Sequence, residues 1–560
     1  MDEKIYKVFI PCAGIGSRLG LKYNKALTTI GYQPVIAHII DKIPCNIEVV
    51  IALGYDGDNV QQVVETLYPD RPITYTHIDP YEGPESGLGL TLLQSKDELQ
   101  CPFIFYPCDT IIKESLFTQH TNWMGYADRT NDSGQYRMLN LFGDGQPRMG
   151  GYRECKIKEI CSKNANGEFP YIGLAGIYDY EIFWKVMEEG KDVGSIEMGE
   201  VFGLKYLLDS PIYARKFTWF DTGNPNSLKK TREEIKSWSD DITANILPKD
   251  DEAIWFVNIG SSQKTVVKFS TSQDFIINRG LRADGLVGYV PKITQSYTNL
   301  YTYDMQPGDV LSNKLNPKNF QLLLDHLQNF WQPQVFKGAH LKADTSSKFY
   351  HTSVLMYDAF INSCQQFYKE KTYTRVKKYL KTFEQIDQPE TINGVDTPGI
   401  WDILDKIDWD WICDGVPSTR FHGDLHFENI LIDNGEFTFL DWRQDFGGLL
   451  QYGDIYYDLA KLNHGILISH ELITKNLFSH SISNNIVTFD FLRKNVSVEL
   501  EQMFKEFIIM QGYHYKKVQY LTYLIFLNIA ALHHYPYGLL LFHLGKSGLW
   551  NLLEQEKDST

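Results

Sequence analysis

A run of apolar residues, Lys7-Val-Phe-Ile-Pro11, leads straight into the loop Cys12-Ala-Gly-Ile-Gly-Ser-Arg-Leu-Gly20, with Lys25 just beyond. Glycine tolerates backbone angles and close approaches that other residues refuse. Gly14, Gly16 and Gly20, with Ala13 and Ser17 between them, can therefore bring main-chain N–H groups onto a triphosphate. Arg18 and Lys25 add positive charge where a leaving pyrophosphate would form, which stabilises a transition state. Such a loop needs a buried strand to launch it. From Ile5 to about Trp238 the pattern supplies more of them: Ile47-Glu-Val-Val-Ile-Ala52 and Phe103-Ile-Phe-Tyr106 read as strands, and Pro34–Ile43 and Asp58–Leu67 as helices. This alternation predicts an α/β domain with a mainly parallel sheet covered on both faces.

Two acidic residues end apolar runs in the same half. Asp109 closes Phe105-Tyr-Pro-Cys-Asp-Thr110, and Asp221 closes Phe217-Thr-Trp-Phe-Asp221. Open α/β sheets bind ligands at the carboxyl ends of their strands. Two carboxylates there suit Mg²⁺ bridging a nucleotide α-phosphate and an attacking phosphate oxygen.

A different signature lies some four hundred residues on: His422-Gly-Asp424-Leu-His-Phe-Glu-Asn429, then the apolar Phe437-Thr-Phe-Leu440 ending in Asp441-Trp-Arg443. Phosphoryl transfer to an alcohol needs a carboxylate to orient and deprotonate the hydroxyl, and oxygen ligands holding Mg²⁺ against ATP. Asp424 fits the first role; Asn429 and Asp441 fit the second. Lys268, in Val266-Val-Lys-Phe269, is placed to reach the nucleotide phosphates.

The chain's 560 residues exceed what one core usually organises. The polar stretch from Ser237 to Glu252 breaks the α/β pattern, so the division expected is residues 1–237, a linker at 238–252, and a second domain at 253–560. In the latter, strands at Ala253–Val257 and Thr265–Phe269 form a small lobe to about 310, with a hinge near Leu300–Gly308; helical patterns dominate from 311 on. A net charge of −16 with no basic face argues against nucleic acid as a partner. Eight scattered cysteines without a CxxC pair read as reduced thiols. No signal peptide is evident, and the apolar tract Tyr520–Leu532 is too short to span a bilayer. The expectation is a cytoplasmic protein without membrane insertion, with self-association allowed.

Residues 1 to about 235 resemble the nucleotidyltransferases that activate sugar phosphates and phosphocholine. The resemblance rests on Ala13–Gly20 with Lys25, Glu85-Ser-Gly-Leu-Gly-Leu90, Asp109, Gly173-Leu-Ala-Gly-Ile-Tyr178 and Asp221-Thr-Gly-Asn-Pro225. It implies a Rossmann-like domain, with Gly87 near the base and Asp109 and Asp221 on the metal. Two departures stand out: Asn24 where proline is common, and Ser86-Gly-Leu-Gly for the usual Gly-Thr-Ala-Gly. Residues 250–560 are similar to the aminoglycoside phosphotransferase and choline kinase family, which implies a two-lobed, protein-kinase-like α+β domain; Asp454-Ile-Tyr-Tyr-Asp458 fits its acidic helix. Arg282 stands where that family carries the glutamate that pairs with the lysine, leaving Asp284 as a substitute partner or one half as a degenerate sensor.

Together these features predict consecutive reactions. The C-terminal half would phosphorylate a small alcohol or sugar with ATP. The N-terminal half would couple the product to a nucleotide from a second NTP, with Mg²⁺ at both sites. The resemblance points to surface-polysaccharide precursors; choline with CTP and a sugar with UTP, CTP or GTP are the leading substrates. An aromatic and acidic box for an amine is conceivable from Asp408-Trp-Asp-Trp411, Tyr535, Tyr537, Phe542 and Trp550, although core packing is the commoner use of such rings. His533 and His534 lack partners at metal-site spacing and are expected to be structural.

Overall fold

The computed structural model describes residues 6–31, 33–116, 120–129, 135–142, 155–162, 166–235, 251–259, 263–334 and 348–557. The stretch 236–250, which holds most of the expected linker, lies outside them. By packing, the chain divides into one compact unit of residues 1–276 and 295–302 and another of residues 277–294 and 303–560.

The first unit is built on a nine-stranded sheet. Its strands are β1 (Lys7–Cys12), β2 (Glu48–Leu53), β3 (Ile73–His77) and β4 (Phe103–Phe105). A short strand, β5 (Thr110–Ile112), lies outside the sheet. The sheet continues with β6 (Trp123–Tyr126), β7 (Met138–Leu141), β8 (Cys155–Ile160), β9 (Phe169–Ile177) and β10 (Tyr213–Lys216). The order is β3-β2-β1-β4-β9-β6-β10-β8-β7. The first four run parallel, while β9 is antiparallel to both β4 and β6. The sheet is mixed, but it is not the mainly parallel one expected: beyond these four strands only β6 and β10 pair in parallel, and the other pairings are antiparallel.

Alternation along β1 explains the layering. Val8 and Ile10 join one buried cluster and Phe9 the other, so both faces are covered. After β1 the chain moves outward through α1 (Val35–Ile40), β2, α2 (Gly57–Leu67) and β3, then returns through α3 (Leu88–Gln94) to lay β4 on the other side of β1. That reversal leaves a crevice at the carboxyl ends of β1 and β4, where the glycine loop and Asp109 begin.

Outside the sheet, β11 (Trp219–Asp221) pairs antiparallel with β5. A hairpin of β12 (Glu252–Ile259) and β13 (Gln263–Ser270) completes this unit. Its Ala253, Val267 and Phe269 are buried in the same cluster as Val8, Ile10 and Val49.

Helices dominate the second unit. The helix α4 (Gln273–Gly285) enters it at residue 277. Residues 300–304, within the expected hinge, form strand β14 (Leu300–Asp304), whose Leu300, Tyr301, Thr302 and Tyr303 are all buried, and the division between the units falls after Thr302. Further along lie α5 (Lys371–Thr382), the hairpin of β15 (Ile430–Asp433) with β16 (Glu436–Phe439), and α6 (Ile455–Leu467). The apolar tract at 520–532 falls mostly in α7 (Tyr515–Ala530), which packs against α8 (Tyr537–Lys557) as an interior helix. Among the described residues no helix is long and apolar enough to cross a membrane.

Candidate active sites

In the first unit the crevice opens into a cleft of about 830 Å³. Ala13, Gly14, Arg18, Lys25, Gly87, Asp109 and Asp221 all line it, whereas Gly16 and Ser17 sit in the loop away from its walls. Gly16 has a positive φ of 67°, and an added Cβ there would press on the Lys25 side chain at 3.3 Å. The glycine thus lets the loop lie against the lysine that it accompanies. Gly87 is confined differently, since a Cβ would meet the Ile196 carbonyl oxygen at 2.6 Å.

Lys25 Nζ lies 2.7 Å from Asp109 Oδ2. Burial opposes the charge on each, but the mutual attraction overrides it: the Lys25 pKa is raised and the Asp109 carboxyl is held below its ordinary range. Lys25 is set by Asn24, which is fully buried. The Asn24 Nδ2 donates to the carbonyls of Cys12 at 2.6 Å and Tyr55 at 2.7 Å, its backbone N–H donates to Asp56, and its Oδ1 caps the turn at Ala26. Asparagine at this position therefore ties the loop to the ends of β1 and β2, work that proline could not do.

The two acidic residues meet through strand pairing. Asp221 on β11 stands opposite Thr110 on β5, one residue from Asp109, and Thr222 donates its N–H to the Asp109 carbonyl. A Cβ built on Gly223 would stand 3.0 Å from Asp109 Oδ2 and 3.1 Å from Asp221 Oδ1. Two hard carboxylate oxygens thus flank one point on the cleft wall, a donor set suited to Mg²⁺. Tyr136, which the sequence reading missed, donates to Asp221 Oδ2 at 2.6 Å, and Asn224 reaches the same oxygen at 2.9 Å.

In the second unit Asp424 is held by contacts from α6 and from its own loop. Lys461 Nζ on α6 is 2.7 Å from its Oδ1, His426 Nε2 is 3.8 Å from its Oδ2, and Asn429 Nδ2 donates to its carbonyl at 3.0 Å. Burial pushes the Asp424 carboxyl up, yet Lys461 and His426 hold it well below the usual range, so it stays ionised and able to accept a proton from a bound hydroxyl. Asp458, also on α6, receives the backbone N–H groups of His422 and Gly423 at 2.8 and 2.6 Å and the Trp331 indole at 3.1 Å. It shapes the loop that carries Asp424.

Asn429 and Asp441 come together because Leu440 donates its N–H to the Asn429 carbonyl at 2.7 Å. Asp441 sits at a positive φ of 56°, unusual for a residue with a side chain, and pairs with Arg279 at 3.4 Å. The Asp441 carboxylate and the Asn429 amide each offer an oxygen of the kind Mg²⁺ takes. Arg282 is buried and donates to the carbonyls of Phe421 and Arg443. Asp284, the substitute considered for a glutamate, is exposed. Lys268 is a buried residue of β13 opposite Ile254 and belongs to the first unit.

Residues 362–466 match the phosphotransferase enzyme family. That phosphotransferase segment holds Asp424, Asn429, Asp441, Asp458 and Lys461. No curated protein matches the chain. Three solved structures are similar to about two fifths of it. A UDP-glucose pyrophosphorylase complexed with UDP-glucose is 14% identical, covering 42% of this chain and 100% of its own, with a TM-score of 0.34. A UDP-glucose pyrophosphorylase from Acinetobacter baumannii is 15% identical over 41% and 93%, with a TM-score of 0.33. A putative glucose-1-phosphate thymidylyltransferase from Bacillus anthracis is 18% identical over 42% and 97%, with a TM-score of 0.34.

The phosphotransferase segment also shows what sequence reading missed. Lys461 follows Asp458 by three residues, so helical spacing puts both on one face of α6. The aromatic set considered for an amine is already engaged: Lys517 lies over Trp411 at 4.9 Å, Lys406 over Trp550 at 4.9 Å, and Phe542 stacks on Tyr379 at 4.0 Å. Asp408 caps a helix at Trp411.

Proposed function

We propose that the protein is a bifunctional transferase that phosphorylates a small alcohol or sugar with ATP and then transfers CMP or UMP from an NTP to that product. The product would be an activated precursor for a surface polysaccharide. The observation that carries the reading is the pair of carboxylates, Asp109 and Asp221, flanking one point in a cleft that also holds Lys25, within a chain whose other half centres an ionised Asp424 on Lys461 and Asn429.

In the kinase step the acceptor oxygen forms a bond to the γ-phosphorus as the bond from that phosphorus to ADP breaks. Asp424 orients the hydroxyl and takes its proton. In the second step a phosphate oxygen of the product attacks the α-phosphorus of an NTP, and pyrophosphate leaves. Lys25 and Arg18 oppose the charge that grows on the departing group, and the glycine loop offers its N–H groups. Asp109 and Asp221 in one site, and Asn429 and Asp441 in the other, would hold Mg²⁺, which would supply further neutralisation of phosphate charge.

Incubation with Mg²⁺, ATP and each of CTP, UTP and GTP against alcohols and sugars, followed by mass spectrometry, tests the pathway. A phospho-acceptor appearing first, and the same acceptor bearing a nucleoside diphosphate appearing second, is the expected order. A phospho-acceptor that no NTP converts further would overturn the coupled reading.

A further inference from the structure

The ground beside Asp424 is cationic. Lys371 and Arg375 lie one turn apart on α5, hence on one face of the helix. Lys371 Nζ sits 3.9 Å from the centre of the Phe367 ring, and the Arg443 guanidinium sits 4.9 Å from the same ring. Phe367 packs edge-on against Tyr457 at 4.8 Å, and the Tyr457 ring is 6.0 Å from Lys461 Nζ. Lys461 in turn contacts Asp424. Arg443 also lies along the catalytic loop, since a Cβ added to Gly423 would meet its Cδ at 2.8 Å. Four cations from three separate segments therefore gather around two rings next to the residue that addresses the acceptor hydroxyl.

Their charges are poorly answered from within. Lys461 has Asp424, but Lys371, Arg375 and Arg443 have no carboxylate at ion-pair distance among the described residues. All three are half-buried. Burial first, and then Arg443, Lys461 and Arg375, push the Lys371 pKa well down; burial and Arg443 also lower that of Arg375. Holding several cations together in a half-dry site is unfavourable unless an anion joins them. Arginine and lysine grouped in this way suit a carboxylate or phosphate, which they meet with charge-assisted hydrogen bonds.

We infer that the kinase acceptor is an anion, an alcohol that carries a carboxylate or phosphate besides the hydroxyl to be phosphorylated, held by Lys371, Arg375 and Arg443 while Asp424 receives the hydroxyl proton. This rests on the kinase reading of the C-terminal half and narrows its substrate. It disfavours choline and other amino alcohols, whose positive charge would meet four like charges.

The test is acceptor-dependent ADP release by the full chain with Mg²⁺ and ATP. The panel spans neutral polyols and sugars, amino alcohols, hydroxy and sugar acids, and polyol and sugar phosphates. A kcat/KM at least tenfold higher for an acid or a phosphate than for its uncharged counterpart is expected, and whichever of the two wins identifies the anionic group. Arg375→Ala should raise KM for that acceptor at least tenfold with KM for ATP unchanged, and Arg375→Lys should restore most of the loss. Preference for an amino alcohol or a neutral acceptor overturns the inference and leaves the kinase standing. A rise in KM for ATP alone also overturns it, because the cations then serve the nucleotide. If the folded protein turns over ATP with no acceptor and does not bind it, the kinase reading fails and the inference falls with it.

Discussion

Arg282 donates to the carbonyl oxygen of Phe421 and lies over the ring of the same residue, with its guanidinium carbon 3.7 Å from the ring centre. The helix α4 is thereby keyed to the loop that carries Asp424. At the position where the sequence resemblance led to the expectation of a glutamate paired with a lysine, an arginine holds two backbone carbonyls.

A glutamate at this position should therefore do harm. Arg282→Glu would bury a carboxylate against two carbonyls left without donors, costing about 3–5 kcal/mol. The expected outcome is a markedly lower melting temperature with loss of kinase activity. A variant that melts like the parent and phosphorylates normally would refute the structural role given to Arg282.

The two chemistries should separate by mutation. Asp424→Ala is expected to abolish phosphorylation while leaving nucleotidyl transfer to supplied phospho-acceptor intact. Asp109→Ala and Asp221→Ala should each lower nucleotidyl transfer by at least ~100-fold, as for loss of groups that stabilise a charged transition state, and leave the kinase rate unchanged. Loss of both activities in any one variant would contradict the two-site arrangement.

The pH dependence follows from Asp458. Burial raises its carboxyl to about 6, above its unfolded value of ~3.9. The folded chain therefore binds more protons between these values, and this group's contribution to stability grows as pH falls through that window. The cost is functional, because the charge receiving the His422 and Gly423 N–H groups is lost. Kinase kcat should decline as pH drops through about 6 while circular dichroism shows the fold retained. A rate that holds constant down to about pH 5 would remove Asp458 from that role.

Asn24 offers a stability test in the other half. Asn24→Ala would leave the buried carbonyl of Cys12 and the half-buried carbonyl of Tyr55 without their donor, which predicts a loss of about 1–3 kcal/mol in denaturant unfolding of the first transition affected. Lys25 would lose its cap as well, so nucleotidyl transfer should weaken in parallel. An unchanged unfolding midpoint would show that the loop is held by other means.

Much of the architecture was legible because strands betray themselves locally. Lys7–Pro11, Ile47–Ala52 and the hairpin at 253–269 were visible as apolar runs between turn signals. Residues 300–304 were not legible as a strand because Tyr301, Thr302 and Tyr303 carry polar atoms; their burial is imposed by neighbours distant in sequence. Asp109 and Asp221 were found separately as the acidic ends of apolar runs, but Tyr136 had no local pattern to mark it.

The sequence by itself determined which residues can do chemistry. A glycine loop after a strand, carboxylates at strand ends, and His422-Gly-Asp424 followed by Asn429 and Asp441 are short-range patterns whose spacing the backbone enforces. Tertiary structure alone decided their company. The pairing of β5 with β11 brings Asp221 beside Asp109, and the packing of Phe367 on Tyr457 gathers Lys371, Arg443 and Lys461 around Asp424. The physical reason is one of range. Backbone geometry acts over a few residues, whereas electrostatics and packing act through space between segments tens to hundreds of residues apart.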